Sequence, residues 1–253
     1  MQKDAVRFSD VCFRYHSIEG ETLALDHINL DIQEGEFIGI VGPSGCGKST
    51  LLSLVSGLIT PTSGEVTVRG VPIRAPSQKV AYMLQQDQLF PWRTIYKNAL
   101  LGLEIQKKLT DETKENVENL LKRYGLGEFR NAYPRQLSGG MRQRAALIRT
   151  LAVSPDILLL DEPFSALDYQ TRLSVSDEIA EIIKKEGKTA LLVTHDISEA
   201  ISMSDRIIVL SKRPATVKAV YDIDLSGMSP LERRKSPLFP TYFNAIWKEL
   251  DEK

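Results

Sequence analysis

Residues 5–41 alternate apolar and polar positions, with turn residues between the runs. "VRFSDVCFRY" and "ALDHINLDIQEGEFIGIVG" are typical of several strands, and the last of these, "FIGIV", is apolar throughout. A strand without a polar face is typical of a parallel sheet that is covered on both sides. Helical spacing follows in "STLLSLVSGL", and "GEVTVRG" returns to a strand. The order of strand, glycine-rich loop and helix predicts an α/β fold.

The pattern becomes mostly helical between about residues 94 and 152. "DETKENVENLLKRYGL" there carries apolar residues at helical spacing behind an acidic first turn. Three short apolar strands come next, in "DILLLDEP", "KTALLVTHD" and "DRIIVLSK", and helical segments separate them. We therefore predict that a helical lobe is inserted into a parallel α/β sheet.

Domain organisation follows from where these patterns end. We predict one domain over residues 1–225 and a short C-terminal tail over residues 226–253. The tail is interrupted by prolines and then weakly amphipathic, which is typical of a solvated connector with a packing helix.

Composition excludes several classes of protein. The 253 residues are 42% hydrophobic, which is ample for a core, and the formal charge of -1 argues against a nucleic-acid binder that depends on general basicity. Cys12 and Cys46 have no metal-motif spacing, and a disulfide at Cys46 would obstruct the glycine-rich loop, so we expect a reducing cytoplasm. The start has no signal-peptide core and no apolar run is long enough to span a bilayer, so we expect any membrane segment to belong to another chain.

The strongest chemical motif is "GPSGCGKST", which fits G-x-x-x-x-G-K-[ST] between a buried strand and a helix. Glycines let backbone N–H groups turn toward phosphate oxygens, and the helix N-terminus adds a positive dipole. Lys48 would reach the terminal phosphates, and Ser49 would ligate Mg²⁺. The predicted nucleotide-binding residues of this loop are Gly42, Pro43, Ser44, Gly45, Cys46, Gly47, Lys48, Ser49 and Thr50.

A second motif places two carboxylates behind four buried aliphatic residues, in "ILLLDEP". Asp161 would hold the metal shell, and Glu162 could polarise an attacking water as a general base. The alternative is a surface acidic pair, which rarely follows such an apolar run.

A second glycine pair occurs in "LSGGMRQR", again at the start of a predicted helix. "LSGG" lies between the two preceding motifs, and with them it resembles the signature of the ATP-binding-cassette (ABC) ATPases over roughly residues 5–225. The resemblance implies a P-loop NTPase (RecA-like) core with a parallel sheet, an N-terminal antiparallel β region and an inserted helical subdomain. It also implies ATP and Mg²⁺ as cofactors and ATP hydrolysis as the activity.

Four further residues match ABC motifs one at a time. Gln85 in "YMLQQDQLFPW" matches the glutamine that senses Mg²⁺, although Gln86 is its neighbour; His195 matches the switch histidine and would assist catalysis with Glu162. Asp168 in "SALD" matches the D-loop, and Tyr15 matches the aromatic residue that stacks on adenine. Each has an alternative: a solvated glutamine, a histidine or aspartate cap, or a tyrosine that fills a surface.

The resemblance also answers why the chain needs two glycine-containing helix starts. In ABC ATPases two copies pack head to tail, and the signature of one chain closes on the ATP held by the other. The implied contacts in trans are Leu137, Ser138, Gly139, Gly140 and Gln143. A homodimer is then the simpler expectation, although pairing with a second ATPase chain stays open.

The segment "LFPWRTIYKNALLGLE" resembles the ATPases of nitrate, sulfonate and taurine importers, a group that includes importers of pyrimidine precursors of thiamine. This implies a peripheral subunit on the cytoplasmic face of the membrane, two permease partners and, through them, an extracytoplasmic substrate-binding protein, with no nucleic acid. The alternative interpretation is that these aromatic residues only pack within the helical lobe. The alternative class is a soluble ABC ATPase in DNA repair, translation or regulation. A P-loop kinase would leave "LSGGMRQR" unexplained.

Overall fold

The protein is described here by a computed structural model, which describes residues 4–18 and 20–251. Two sheets organise these residues. The strands, in chain order, are β1 (Asp4–Ser17), β2 (Gly20–Gln33), β3 (Phe37–Val41), β4 (Ser63–Val68), β5 (Val71–Pro72), β6 (Val80–Met83), β7 (Ile157–Asp161), β8 (Thr189–Val193), β9 (Arg206–Leu210) and β10 (Val217–Asp222).

The helices connect or cover these strands. They are α1 (Lys48–Ser56), α2 (Ile95–Ile105), α3 (Asp111–Arg123), α4 (Gly139–Ala152), α5 (Tyr169–Lys185), α6 (Ile197–Met203), α7 (Pro230–Lys235) and α8 (Phe239–Asp251). Single 3₁₀ turns lie at Gly127–Phe129 and Pro134–Gln136. Among the helices of the described residues, none has the length and apolar character needed to cross a bilayer.

The larger sheet has the strand order β10-β9-β3-β8-β7-β6. Strands β3, β6, β7, β8 and β9 run parallel, and β10 is antiparallel at the edge. β3 and β8 are buried along their whole length, as their continuous apolar sequences predict. The carboxyl ends of neighbouring parallel strands meet at one edge, so the residues that follow β3, β6, β7 and β8 come close together.

The smaller sheet is antiparallel, with the order β2-β1-β4-β5. Its inner residues share a core with α1 and with one face of the larger sheet. The long β1–β2 ladder is irregular, since its pairing register shifts several times between Asp4 and Arg14. This sheet is the N-terminal antiparallel region that the sequence predicts.

The helical lobe lies in the connection between β6 and β7, which are neighbours in the sheet. Each of its helices starts at a hydroxyl cap: Thr94 for α2, Thr110 for α3 and Ser138 for α4. Buried residues of these helices form one cluster with α5 and with the face of the sheet opposite α1. The lobe is therefore an insertion that is packed onto the sheet.

The tail is more closely packed than its sequence indicates. α7 and α8 lie against α6, and Ile246 is fully buried in a cluster that also contains Val41. Arg233 is buried as well; it donates to the Ser204 carbonyl at 2.6 Å, and burial lowers the pKa of its guanidinium. The expected packing helix is present, but the connector before it is partly buried instead of solvated.

The packing of α8 gives a stability prediction. Ile246→Ala is expected to lower the free energy of unfolding by about 2–4 kcal/mol, because it leaves a cavity in the buried cluster that α8 shares with α6 and β9. Trp247→Ala is the matched control, because Trp247 is 56% exposed on the same helix, and a change below about 1 kcal/mol is expected. Urea unfolding measures both. If Ile246→Ala also changed the free energy of unfolding by less than about 1 kcal/mol, the packing of α8 would not stabilise the domain.

Candidate active site

The glycine-rich loop joins the buried strand β3 to helix α1. Gly45 and Gly47 have φ of 72° and 125°, a region that side chains with a Cβ rarely adopt. Gly47 also has no room for one, because an added Cβ would lie 2.9 Å from Leu25 Cδ2. The loop opens on a cavity of about 310 Å³ lined by Ser44, Gly45, Gly47, Lys48, Ser49, Thr50 and Glu162.

Two side chains of this loop point in different directions. Lys48 Nζ donates to the carbonyls of Gly42 at 2.8 Å and Pro43 at 3.0 Å, so the ammonium lies within the loop. Cys46 is buried under the loop, and burial raises the pKa of its thiol. The cavity therefore combines a helix N-terminus with an ammonium group, a combination that suits phosphate oxygens. Cys46 can contribute only its backbone.

Asp161 ends β7 and faces the start of α1. Its Oδ1 accepts from Ser49 Oγ at 3.1 Å, and its Oδ2 accepts from the Tyr82 hydroxyl at 3.0 Å. Hydroxyl and carboxylate oxygens are ligands that Mg²⁺ prefers, so this pair fits the predicted metal role. Gln85, the third predicted ligand, lies at the same sheet edge, but its side chain donates hydrogen bonds to Glu162 and Ser165.

Tyr82 belongs to this site, although sequence reasoning missed it. It lies in β6, three residues before Gln85, and burial followed by the charge of Asp161 raises the pKa of its phenol. The hydroxyl therefore stays protonated and acts as a donor that orients Asp161. A tyrosine near the carboxyl end of a strand beside β7 was the available signal.

Glu162 lies at the centre of a polar cluster. His195 Nδ1 is 3.2 Å from Glu162 Oε2, and Gln85 Nε2 donates to the same oxygen at 3.5 Å. Gln85 also donates to Ser165 Oγ at 3.2 Å, and Ser165 Oγ donates to the Glu162 carbonyl at 3.0 Å. The fold thus brings Gln85, Glu162 and His195 together beside the phosphate cavity. Gln86 does not share these contacts among the described hydrogen bonds, which favours Gln85 as the site residue.

The backbone of Glu162 is held in an uncommon conformation. Its φ is 45°, and its N–H donates to the Val193 carbonyl at 2.9 Å. Residues other than glycine rarely adopt this region, and such strain occurs often at functional positions. The bend turns the chain after β7, so the carboxylate of Glu162 faces His195 while Asp161 faces Ser49.

The strand end that carries His195 is supported by a buried carboxyl group that the sequence did not indicate. Glu199 accepts a hydrogen bond from Thr194 Oγ1, and the Asp196 N–H donates to the same hydroxyl at 3.0 Å. Burial raises the pKa of Glu199 to about 7. These contacts fix the turn on both sides of His195.

Tyr15 lies on β1 next to the start of α1. Its hydroxyl is 2.9 Å from Thr50 Oγ1, and its ring packs edge-on against Phe13 with centroids 4.8 Å apart. The side chain is 46% exposed, so one face of the ring is available to a ligand. This position agrees with a base-stacking residue, the role that the resemblance implies.

The second glycine pair forms a separate surface. Ser138 caps α4, and its Oγ accepts from the Met141 N–H at 3.3 Å. Ser138 is exposed and is not among the described residues that line the phosphate cavity of its own chain. Gly139 and Gly140 pack against α5 and the turn before it, because an added Cβ would meet Leu167 at 2.9 Å and Val175 at 2.6 Å.

Leu137 and Gln143 differ from their exposed neighbour Ser138. Leu137 is buried, and the Gln143 side chain is only 3% exposed. Gln143 Oε1 has no hydrogen-bond partner within residues 4–18 and 20–251. A direct side-chain contact from Gln143 to a nucleotide in another chain would require α4 to repack, so this geometry favours a packing role for Gln143.

Asp168 caps α5, which is the alternative that the sequence left open. Its Oδ1 accepts from the Thr171 N–H at 3.0 Å, and hydrogen bonds from Thr171 lower the pKa of its carboxyl. It remains exposed, and the neighbouring Leu167 contacts the Gly139 position. The D-loop and the signature therefore share one surface of the chain.

Two arginines of α4 fasten the segment that follows Gln85. Arg142 Nε donates to Asp87 Oδ2 at 3.0 Å, and Arg149 donates to the carbonyls of Gln88 at 2.6 Å and Asp87 at 2.7 Å. Arg149 is partly buried, and burial lowers the pKa of its guanidinium. "MRQR" after the glycine pair was the sequence signal for the first of these contacts.

Comparison with known proteins agrees with this arrangement. The ABC transporter family matches residues 25–165. The chain is 51% identical to the uncharacterized ABC transporter ATP-binding protein YtlC of Bacillus subtilis, over 95% of this chain and 94% of that protein. It is 43% identical to the nitrate import ATP-binding protein NrtD of Synechocystis, over 82% of this chain and 78% of NrtD.

The fold matches solved cassettes as well. The dimeric post-hydrolysis structure of the ATP-binding cassette MJ0796, bound to ADP and Pi, is 34% identical and covers 86% of this chain and 98% of its own, with a TM-score of 0.73. This likeness confirms the predicted fold class. The chain therefore belongs to the ABC transporter family, as an ATPase that forms the ATP-binding subunit of a transporter.

Proposed function

We propose that this chain powers an importer of a small solute, of the nitrate, sulfonate and taurine type or a pyrimidine precursor of thiamine. In this proposal two copies close head to tail on two ATP molecules, and the closure drives transport. The observation that carries it is the separation of the two phosphate-binding surfaces. The phosphate cavity is open, and the exposed Ser138 helix start does not line it among the described residues.

The head-to-tail arrangement uses both surfaces. The N–H groups at the start of α4, with the Ser138 hydroxyl, would bind the γ-phosphate of an ATP held by the partner's loop. Gly139 and Gly140 let the start of α4 pack closely against Leu167 and Val175, which sets the position of this helix end. The MJ0796 dimer with ADP and Pi supports a dimeric working state for cassettes of this kind.

The chemistry follows from the cluster around Glu162. Ser49, Asp161 and Gln85 would hold Mg²⁺, which when bound would supply positive charge to the phosphates. Glu162 would accept the proton of the attacking water, and His195, 3.2 Å away, would orient the carboxylate and contact the γ-phosphate. The Lys48 ammonium would exchange its loop carbonyls for phosphate oxygens.

The partners would be two permease subunits, with an extracytoplasmic substrate-binding protein beyond them, and the chain would lie on the cytoplasmic face of the membrane. Exposed aromatic residues support a docking role. The rings of Phe90 and Trp92 stack with centroids 5.0 Å apart, a few residues after Gln85. Stacked, exposed aromatic rings are typical anchors of interfaces. A permease segment bound there would act on the segment that also contains Gln85.

The substrate class rests on the "LFPW" segment and on the name of NrtD, which is a nitrate importer subunit. The test is uptake of labelled nitrate, taurine, an alkanesulfonate and a thiamine pyrimidine precursor in cells whose only copy is wild type or Glu162→Gln. We expect the variant to abolish uptake of one of these substrates. Glu65→Gln, a change at an exposed position of β4, is the control and should leave uptake unchanged.

Two outcomes of this experiment would count against the proposal. If Glu162→Gln left uptake of all four substrates at the wild-type level, the substrate class would be wrong. If the chain also failed to sediment with membranes from cells that co-express its permeases, the importer proposal would be wrong. A soluble ABC ATPase in repair, translation or regulation would then be the better proposal.

A further inference from the structure

An irregularity in the β1–β2 ladder gathers potential metal ligands that do not belong to the polar cluster around Glu162. Val11 pairs with Ile28, but Phe13 pairs with Leu25, so one residue of β1 faces two residues of β2. Such a bulge re-aims side chains. It places Cys12 beside Asp26 and His27.

The three side chains approach one another as metal ligands do. Asp26 Oδ1 lies 3.9 Å from Cys12 Sγ and 3.8 Å from His27 Nε2. One ligand atom from each residue lies within 4.8 Å of the others. With metal bonds of about 2.3 Å to sulfur and about 2.0 Å to nitrogen or oxygen, tetrahedral ligand atoms are about 3.3–3.6 Å apart. Small side-chain rotations would therefore close the set around one ion.

Neighbouring groups orient these ligands in the way that metal sites require. His27 Nδ1 is 2.6 Å from Asp10 Oδ1, which leaves Nε2 on the side of Asp26. The Asp10 N–H donates to Asn29 Oδ1 at 2.9 Å, and Asn29 Nδ2 donates to the His27 carbonyl at 3.1 Å. A histidine that binds a metal through one nitrogen usually pairs its other nitrogen with a carboxylate.

The position of the Cys12 sulfur is also fixed by a neighbouring group. The His27 backbone N–H donates to Cys12 Sγ at 3.3 Å, a contact that fixes the direction of the sulfur. Cys12 is a free cysteine and is only 9% exposed, whereas the His27 side chain is 67% exposed. An ion can therefore enter from solvent past His27, and a water molecule can fill the fourth position.

We propose that Cys12, Asp26 and His27 form a Zn²⁺ site, with Asp10 as the residue that positions His27. Thiolate, imidazole and carboxylate together favour Zn²⁺ over Mg²⁺ or Ca²⁺, which prefer oxygen ligands alone. The site is independent of the transport proposal. Cys12 has no metal-motif spacing in the sequence, and the proposed partners come from strand pairing instead.

The ion would join the two strands that support the nucleotide-binding region. Tyr15 follows Cys12 by three residues on β1, and Leu25, next to Asp26 on β2, contacts the Gly47 position. The Asp26 N–H donates to the Ala215 carbonyl at 2.9 Å, which ties this point to the larger sheet. We therefore expect bound Zn²⁺ to raise the thermal stability of the whole domain.

The experiment uses the purified full chain, freed of metal and nucleotide, in competition with a chromophoric chelator for Zn²⁺. One Zn²⁺ per chain is expected, and X-ray absorption should give one sulfur ligand at about 2.3 Å with nitrogen and oxygen ligands near 2.0 Å. If the wild-type chain leaves Zn²⁺ with the chelator, the proposal is wrong.

Variants locate the ion. Cys12→Ser and His27→Gln are each expected to weaken Zn²⁺ binding by at least tenfold, and Asp10→Asn by about tenfold through loss of orientation. His27 is exposed, so its variant should keep the fold, which circular dichroism checks. His16→Gln is the matched control, since His16 is an exposed histidine of β1 that is paired with Glu21, and it should bind like wild type. Zn²⁺ binding that survives Cys12→Ser and His27→Gln but is lost in His195→Ala would assign the ion to the nucleotide site and overturn the proposal.

Discussion

Glu162→Gln is expected to lower ATP hydrolysis by about a thousandfold while the chain still binds ATP, a loss within the range for removal of a general base. Glutamine has the same shape and can still hydrogen-bond toward His195 and Gln85, but it cannot accept a proton from water. The backbone contact from the Glu162 N–H to Val193 is unaffected. ATP should therefore accumulate unhydrolysed, and the variant should be trapped as a closed dimer.

Phosphate release measures the first effect, and size-exclusion chromatography with Mg²⁺ and ATP measures the second. Glu65→Gln is again the control, since it removes the same charge from an exposed position outside the site. Turnover of Glu162→Gln within tenfold of wild type would exclude Glu162 as the base and leave His195 as the next candidate.

Ser138→Arg is expected to abolish hydrolysis while ATP binding by the monomer stays near the wild-type affinity. The residue is exposed and does not line the described cavity of its own chain, so a long cation there should not reach the bound nucleotide in cis. In a head-to-tail dimer the same side chain would block the approach of α4 to the partner's γ-phosphate. The loss should therefore appear only in the step that needs two chains.

Mixing two inactive variants tests this arrangement directly. Lys48→Ala removes the ammonium of the phosphate loop, and Ser138→Arg damages the signature. In a mixed dimer, one site combines the Lys48→Ala loop with the Ser138→Arg signature and carries both defects. The other site combines the intact loop of one chain with the intact signature of the other, so hydrolysis should return on mixing. If the mixture stayed as inactive as its parents while mixed dimers formed, a site shared between chains would be contradicted.

The parts of the fold and site that were predictable are those where local pattern and strand order agree. β3, β7 and β8 are short, mostly apolar runs that lead directly into the predicted site motifs, and parallel pairing brings their carboxyl ends together. Motifs and the ABC resemblance selected Lys48, Asp161, Glu162 and His195, and the rule for parallel strands explains why they lie at one edge of the sheet.

The features that sequence reasoning missed depend on tertiary contacts. Tyr82 lies in a four-residue strand that is too short to show a period. Arg233 stands in a charged run that reads as solvated, but its hydrogen bond to Ser204 and its burial arise only once α7 packs on α6. Cys12 and His27 meet through a register shift, which no spacing along one strand can reveal.

The hydrogen bonds between α4 and the segment after Gln85 couple the movement of the two. Arg142 and Arg149 are seven residues apart, about 10 Å along a helix axis, yet both hold Asp87 or its neighbour. Two points of attachment prevent the segment from pivoting independently of the helix. A displacement of this segment is therefore transmitted to α4, and through the helix to Ser138 at its N-terminus.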